Sequence, residues 1–266
     1  MVVFAGQGDA RRSMDLLWRA PGPSKTGPGP RPGLSVQMIV DTAIAVADAD
    51  GMAALSMRAV GERLGRTAMA LYTYVPGKAE LVDLMYDRAL AELPDGYDVA
   101  AGWRAALTRW AEDSWDFYLR HPWMLQVSQA RPVLGPNEYR VLEALLGVLT
   151  ATGLAAPQVR RAVSALSSVV RGAAQTLAES RQAVRATGLS EERWWHGRAE
   201  ALEELAPGFA ERFPLVAWLD AEGAPAVAED VPYLEQAARG AFEGGLALVL
   251  DGIDAAVTTA RGGAAM

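Results

Sequence analysis

Apolar residues recur every three or four positions along most of the chain, and no stretch sustains the alternation of two that a strand requires, so the pattern predicts helices throughout. The first clear run follows Ser35, a residue suited to an N-cap, and places Val36, Ile39, Val40, Ala43, Ile44 and Ala47 on one face until Gly51 ends it. Ser56 caps the next helix. There Val60, Leu64, Leu71 and Tyr74 form an inward face, Gly61 is small at an expected helix crossing, and Gly65 sits where a turn needs a left-handed backbone. Val75-Pro76-Gly77 breaks the pattern, and Lys78-Ala79-Glu80-Leu81 opens a third helix with Leu81, Leu84 and Met85 at helical spacing.

Pro94-Asp95-Gly96 marks an exit, beyond which the pattern is again helical. Trp103, Leu107, Trp110, Ser114 and Phe117 share a face up to His121-Pro122, and a short segment runs from Trp123 to Ala130. Further helices are expected over 137–150, from Pro157 onward, from Ser190 onward, and from about Tyr233 to Thr258. This punctuation divides the chain into a flexible N-terminal arm and linker (1–33), a three-helix domain (34–93), a larger helical domain (94–258) and a disordered tail (259–266). The proline- and glycine-rich stretch within 21–33 excludes helix and central strand. Five cations, Arg11, Arg12, Arg19, Lys25 and Arg31, leave two readings of the arm open: a disordered tail, or a basic arm entering a minor groove.

Composition narrows the function. With 266 residues, 51% of them hydrophobic, the chain can bury a sizeable core, and the absence of cysteine removes disulfides, thiolate metal sites and cysteine nucleophiles. No apolar run is long enough to cross a bilayer, and the apolar segment after Arg11-Arg12 is too short for a twin-arginine export signal, so a cytoplasmic location without membrane contact is expected. The net charge of −7 is unevenly placed. Residues 1–92 hold ten basic and ten acidic residues, whereas 93–266 hold fifteen and twenty-two. A near-neutral head on an acidic body suits one-sided docking on a polyanion, with a modest non-specific grip.

Residues 56–81, SMRAVGERLGRTAMALYTYVPGKAEL, have the form of two short helices around a tight turn. In a helix-turn-helix the first helix crosses the DNA backbone and the second enters the major groove, while the start of the third offers N–H groups and Lys78 to a phosphate. A plain antiparallel helical bundle is the other reading of the same pattern.

The phrase LYTYVPGKAELV, preceded by the glycine-containing turn and by the helix at 35–50, resembles the DNA-binding domain of the tetracycline-repressor (TetR) family. Arg66 departs from the small apolar residue usual after the turn glycine. The resemblance implies base contacts from Thr67, Ala68, Met69 and Thr73 and phosphate contacts from Tyr72, Tyr74 and Lys78, core packing being the other reading of Tyr74. Arg58 and Arg66, at the helix start and in the turn, are further DNA-contact candidates. The second domain resembles the ligand-binding domain of the tetracycline-repressor subgroup through WRAALTRWAEDSWDFYLRHPWML, GPNEYRVLEALLGVLTATGL and FEGGLALVLDGI, and the two resemblances together cover 34 to about 257.

Eight tryptophans suggest either core or an aromatic cavity. The effector candidates are Trp110, Phe117, Trp123, Met124, Val127, Trp194 and Trp195, with Gln175, beside Arg171 and Glu179 on one helix face, read either as their polar partner or as part of a solvated or intersubunit salt bridge. His121 and His196 have no carboxylate or histidine at metal-ligand spacing, so neither metal nor cofactor is expected, and no nucleophile, Walker or Gly-x-Ser-x-Gly signature points to an enzyme. Small residues, Ser164, Ser167, Gly172 and Ala173 in one helix and Gly240, Ala241, Gly244 and Gly245 in another, suit a four-helix bundle across a two-fold axis, with close packing within a monomer as the other reading. The expectation is an all-α, two-domain, homodimeric repressor of double-stranded DNA, released from a palindromic operator by a small, largely apolar effector. The alternative is a helical small-molecule binder with no role on DNA.

Overall fold

The computed structural model describes residues 3–19, 33–223 and 233–264. Two compact units emerge, residues 1–164 with 253–266, and residues 165–252. The first unit runs on past residue 93, because the last helix of the head packs directly on the segments that follow it.

In the first unit the chain begins with β1 (Val3–Phe4) and α1 (Ala10–Trp18), then enters the head: α2 (Val36–Asp50), α3 (Met57–Leu64), α4 (Ala68–Tyr72) and α5 (Lys78–Leu90). Local chemistry sets these boundaries. Ser35 accepts the Met38 N–H at 3.1 Å and Ser56 the Ala59 N–H at 3.1 Å, each filling an orphan donor of a first turn. Gly51 and Gly65 leave their helices at φ 77° and 64°, where a Cβ would be strained. Ile39, Val60, Leu71, Leu81 and Met85 are fully buried and form the head's centre. Tyr74, expected on this inward face, is exposed, and Val75 takes the buried place, because the chain bends at Val75-Pro76.

After the head come α6 (Trp103–Arg120), a 3-10 turn (Pro122–Gln126), β2 (Val127–Ser128) and α7 (Pro136–Thr150). The two strands pair in parallel, Val3 with Val127 and Phe4 with Ser128. This two-residue ladder is a correction to the strand-free expectation. It is too short to show a period-two pattern in sequence. Residues 3–19 are likewise not a free arm. α1 packs on α5, Gly6 N–H donates to Asp83 Oδ1 at 2.8 Å, Asp9 N–H to Glu80 Oε1 at 3.2 Å, and Trp18 Nε1–H to the Leu134 carbonyl at 2.9 Å. Lys25 and Arg31, the remaining arm cations, lie outside the described residues.

α8 (Ala156–Thr187) and α12 (Tyr233–Ala264) each contribute to both units. Within the second unit lie α9 (Glu191–Leu205), α10 (Phe209–Arg212) and α11 (Pro214–Gly223). Arg181 pairs with Glu235, Glu191 accepts the Leu234 N–H, and Val169 lies against Gly245, where a Cβ would come within 2.9 Å of it. α12 continues to Ala264, so residues 259–264 are helical where a tail was expected.

Candidate nucleic-acid interface and effector region

The crossing of α3 and α4 depends on Gly61. A Cβ there would lie 2.8 Å from the Arg66 carbonyl oxygen, and the Arg66 N–H donates to the Gly61 carbonyl at 2.8 Å, so the turn closes on the helix backbone itself. This contact orients α4. Thr67 is its N-cap, accepting the Ala70 N–H at 3.3 Å, and presents the rest of its side chain to solvent. Met69, 74% exposed, Tyr72 and Thr73 stand on the outer side, and Tyr74 follows them, also exposed. Ala68 differs from the other expected base contacts: it is half-buried against the head's core.

The three cations are exposed, and each is oriented by the protein. Arg58 pairs with Glu62 one turn on, at 2.8 Å. Arg66 reaches back to the Gly33 carbonyl at 3.4 Å, which accommodates the departure from the usual turn residue by turning its side chain outward and across the linker's end. Lys78, first residue of α5, donates from Nζ to the Leu55 carbonyl at 2.6 Å. At this helix N-terminus the cap, Gly77, supplies no side-chain acceptor, and Glu80 stands in the first turn.

Behind this surface, α5 is gripped from both ends in a way sequence reasoning missed. Asp87 accepts N–H bonds from Asn137 at 2.8 Å and Glu138 at 3.0 Å and a third from Asn137 Nδ2 at 2.8 Å, so a carboxylate of the head caps the first turn of α7. Arg140 of α7 returns the contact, donating to the carbonyls of Leu90 at 2.7 Å and Leu93 at 2.8 Å and pairing with Asp95. Gly135 is obligatory beside this cap, since a Cβ would overlap the Asp87 carboxylate. Glu80, Asp83 and Asp87 fall at helical spacing on α5, a stripe that ordinarily signals a solvated face; here α1 and α7 cover it. Burial pushes the Asp83 carboxyl up from its ordinary value against the opposing Gly6 hydrogen bond, and Glu138 is pushed up by the same cause.

The effector candidates separate between the two units. Phe117, Trp123, Met124 and Val127, all about 1% exposed, belong to the same core cluster as Ile39 and Val60 of the head. Packing occupies their surfaces, and the Trp123 indole N–H is satisfied by Asp48 at 2.8 Å. Trp110 is also buried in the first unit, but its Nε1 finds no acceptor among the described residues. In the second unit Trp194 and Trp195 stack edge to face at 5.0 Å between centroids, remain 44% and 42% exposed, and lead on to Tyr233 at 5.9 Å from Trp195. Gln175 donates to Glu179 at 2.8 Å on the exposed side of α8. Among the described residues no three titratable side chains cluster as a metal site would need, and no helix is long and apolar enough to cross a membrane.

Comparison with known proteins agrees with this layout. Residues 39–85 match the profile of bacterial regulatory proteins of the tetR family, and residues 96–257 that of the tetracyclin repressor-like C-terminal domain. The chain is 38% identical over 268 residues to the HTH-type transcriptional repressor DrrR1 of Streptomyces coeruleorubidus, covering 97% of this chain and 90% of that one. Among solved structures, ActR of Streptomyces coelicolor in complex with actinorhodin superposes with a TM-score of 0.67 at 24% identity, over 84% of this chain and 96% of that one. A TetR transcriptional regulator of the same organism gives 0.60 at 27% identity, over 84% and 99%. The helix-turn-helix, the all-helical body and these matches place the chain in the TetR family of transcriptional regulators.

Proposed function

We propose that this chain is a homodimeric repressor that leaves a palindromic operator when a small, largely apolar molecule binds its helical body. The observation that carries the reading is the exposed edge of α4, with Thr67, Met69, Tyr72 and Thr73 turned outward beside Lys78 at the start of α5. Threonine hydroxyls and the methionine reach base edges, and Tyr72, Tyr74, Lys78, Arg58 and Arg66 hold the flanking phosphates, a division between choosing sequence and fixing register. The likeness to a named repressor, DrrR1, over nearly the whole chain supports the sign of the regulation.

Dimerisation rests on the outer faces of α8 and α12. Gly172, Gly240, Ala241 and Gly244 are exposed, and Leu248 is 75% exposed on the same helix. Small residues beside one large apolar residue suit helices of two copies approaching closely, and a two-fold dimer reads half-sites roughly 34–36 Å apart or a little more. The effector is expected near Trp110 of α6, whose buried donor calls for an acceptor. ActR holding actinorhodin is an instance of this fold enclosing a small molecule. Release follows by linkage: an effector that favours one arrangement of α6 and α7 also shifts α5 and with it α4, and lowers DNA affinity by the same coupling energy.

The test is fluorescence anisotropy with labelled DNA from the region upstream of the reading frame, at moderate salt. Specific, saturable binding that competitor DNA does not remove is expected. No specific binding to any genomic fragment would favour the helical small-molecule binder.

A further inference from the structure

At the C-terminal end of α6 one side chain faces two segments of the head at once. His121, 6% exposed, is the C-cap of α6. Its Nδ1 lies 2.8 Å from Asp48 Oδ1 at the end of α2, and its Nε2 lies 3.2 Å from Glu92 Oε2 just after α5. Its ring packs against Phe117 of α6, at 5.2 Å between centroids, and edge-on against Trp123, at 6.4 Å. Asp48 also receives the Trp123 indole N–H, and Glu92 has Arg120 of α6 at 3.4 Å. The charged groups facing the ring are therefore Asp48 from α2 and Glu92 from the end of α5, with Arg120 behind Glu92.

A neutral imidazole has one N–H and one lone pair. Between two carboxylates, one of them would face that lone pair. Only the doubly protonated ring donates to Asp48 and is also paired by charge with Glu92. We propose that His121 is a positioning residue, a proton-dependent latch that ties α6 to both ends of the reading head and makes operator binding respond to pH. The inference about DNA rests on the repressor reading above; the latch itself does not. Burial works against the charged ring, but the hydrogen bond to Asp48 and the neighbouring Glu92 outweigh it and hold its pKa above the ordinary imidazole value. A raised pKa in a cation means that the latch's contribution is complete below the unfolded-state value, about 6.5, and is lost as pH rises through the folded-state value. On the repressor reading the latched arrangement is the DNA-binding one, and affinity then falls on the alkaline side.

With two histidines in the chain, ring-proton NMR of the full-length protein reads the latch directly, His196→Gln assigning the signals. His121 is expected to titrate clearly above 6.5, and Asp48→Asn and Glu92→Gln are each expected to lower that value. Anisotropy with the upstream fragment should show affinity falling by up to about a hundredfold per pH unit above the His121 pKa in the wild type, since each protomer of the proposed dimer carries one His121, and a flat profile in His121→Gln. If His121→Gln does not fold, Asp48→Asn and Glu92→Gln carry the comparison. A His121 pKa at or below 6.5, or a wild-type pH profile unchanged in these variants, overturns the proposal. If no fragment is bound at any pH the repressor reading fails, and the His121 pKa together with the pH dependence of Tm still decides the latch.

Discussion

Single residues show how sharply role depends on direction. Lys78 bonds the Leu55 carbonyl and stands at an uncapped helix start; replacing it with alanine should weaken binding to all DNA sequences alike and reduce the salt slope by about one ion, measured by anisotropy across a salt series. A changed sequence preference would assign Lys78 to readout instead. Asp83 has the opposite problem, a carboxylate in the interior. With its folded-state pKa raised by burial, ionisation there opposes folding at neutral pH, and the cost disappears as pH falls toward the unfolded-state value of about 3.9. Asp83→Asn keeps an acceptor for Gly6, so its Tm should rise near pH 7.5 and the gain should vanish near pH 4. What the sequence disclosed at this scale was whatever is set by neighbours in the chain: the serine caps at Ser35 and Ser56 and the left-handed Gly65. The exchange of Tyr74 for Val75 on the inward face was hidden, because a proline two residues past Tyr74 bends the chain out of helical phase.

Between elements, the decisive contacts were those that spacing does not reveal. Gly61 was legible as a small residue at a crossing, and the structure gives the reason in the Arg66 carbonyl 2.8 Å from where its Cβ would be. Gly61→Val should separate α3 from α4, lowering Tm and abolishing specific DNA binding while circular dichroism stays helical. The grip of α5 on α7 was not legible. Asp87 and Arg140 are 53 positions apart, and each looks like an ordinary surface charge until the other helix is placed against it. Asp87→Ala leaves three donors of α7 without their acceptor and should cost about 1–3 kcal/mol in denaturant unfolding, whereas Gly135→Ala should be comparably harmful for a steric reason. The effector candidates carry a related ambiguity: aromatic residues at helical spacing serve core and cavity equally, and Phe117 and Trp123 lie in the core cluster.

For the whole molecule, the exposed face of α12 makes the assembly testable. Leu248→Glu places a charge on the proposed two-fold contact and should give a monomer by light scattering with unchanged helix content. A variant that stays dimeric would move the interface elsewhere. The reciprocal bond between α5 and α7 carries a further consequence, for exchange of parts among relatives. Because the head supplies the acceptor that α7 lacks, and α7 supplies the donor for carbonyls at the end of α5, a foreign head spliced in at residue 93 would arrive without its counterpart. Chimaeras that transplant Asp87 and Arg140 together should retain effector response, and those that carry one alone should bind DNA and no longer answer to it.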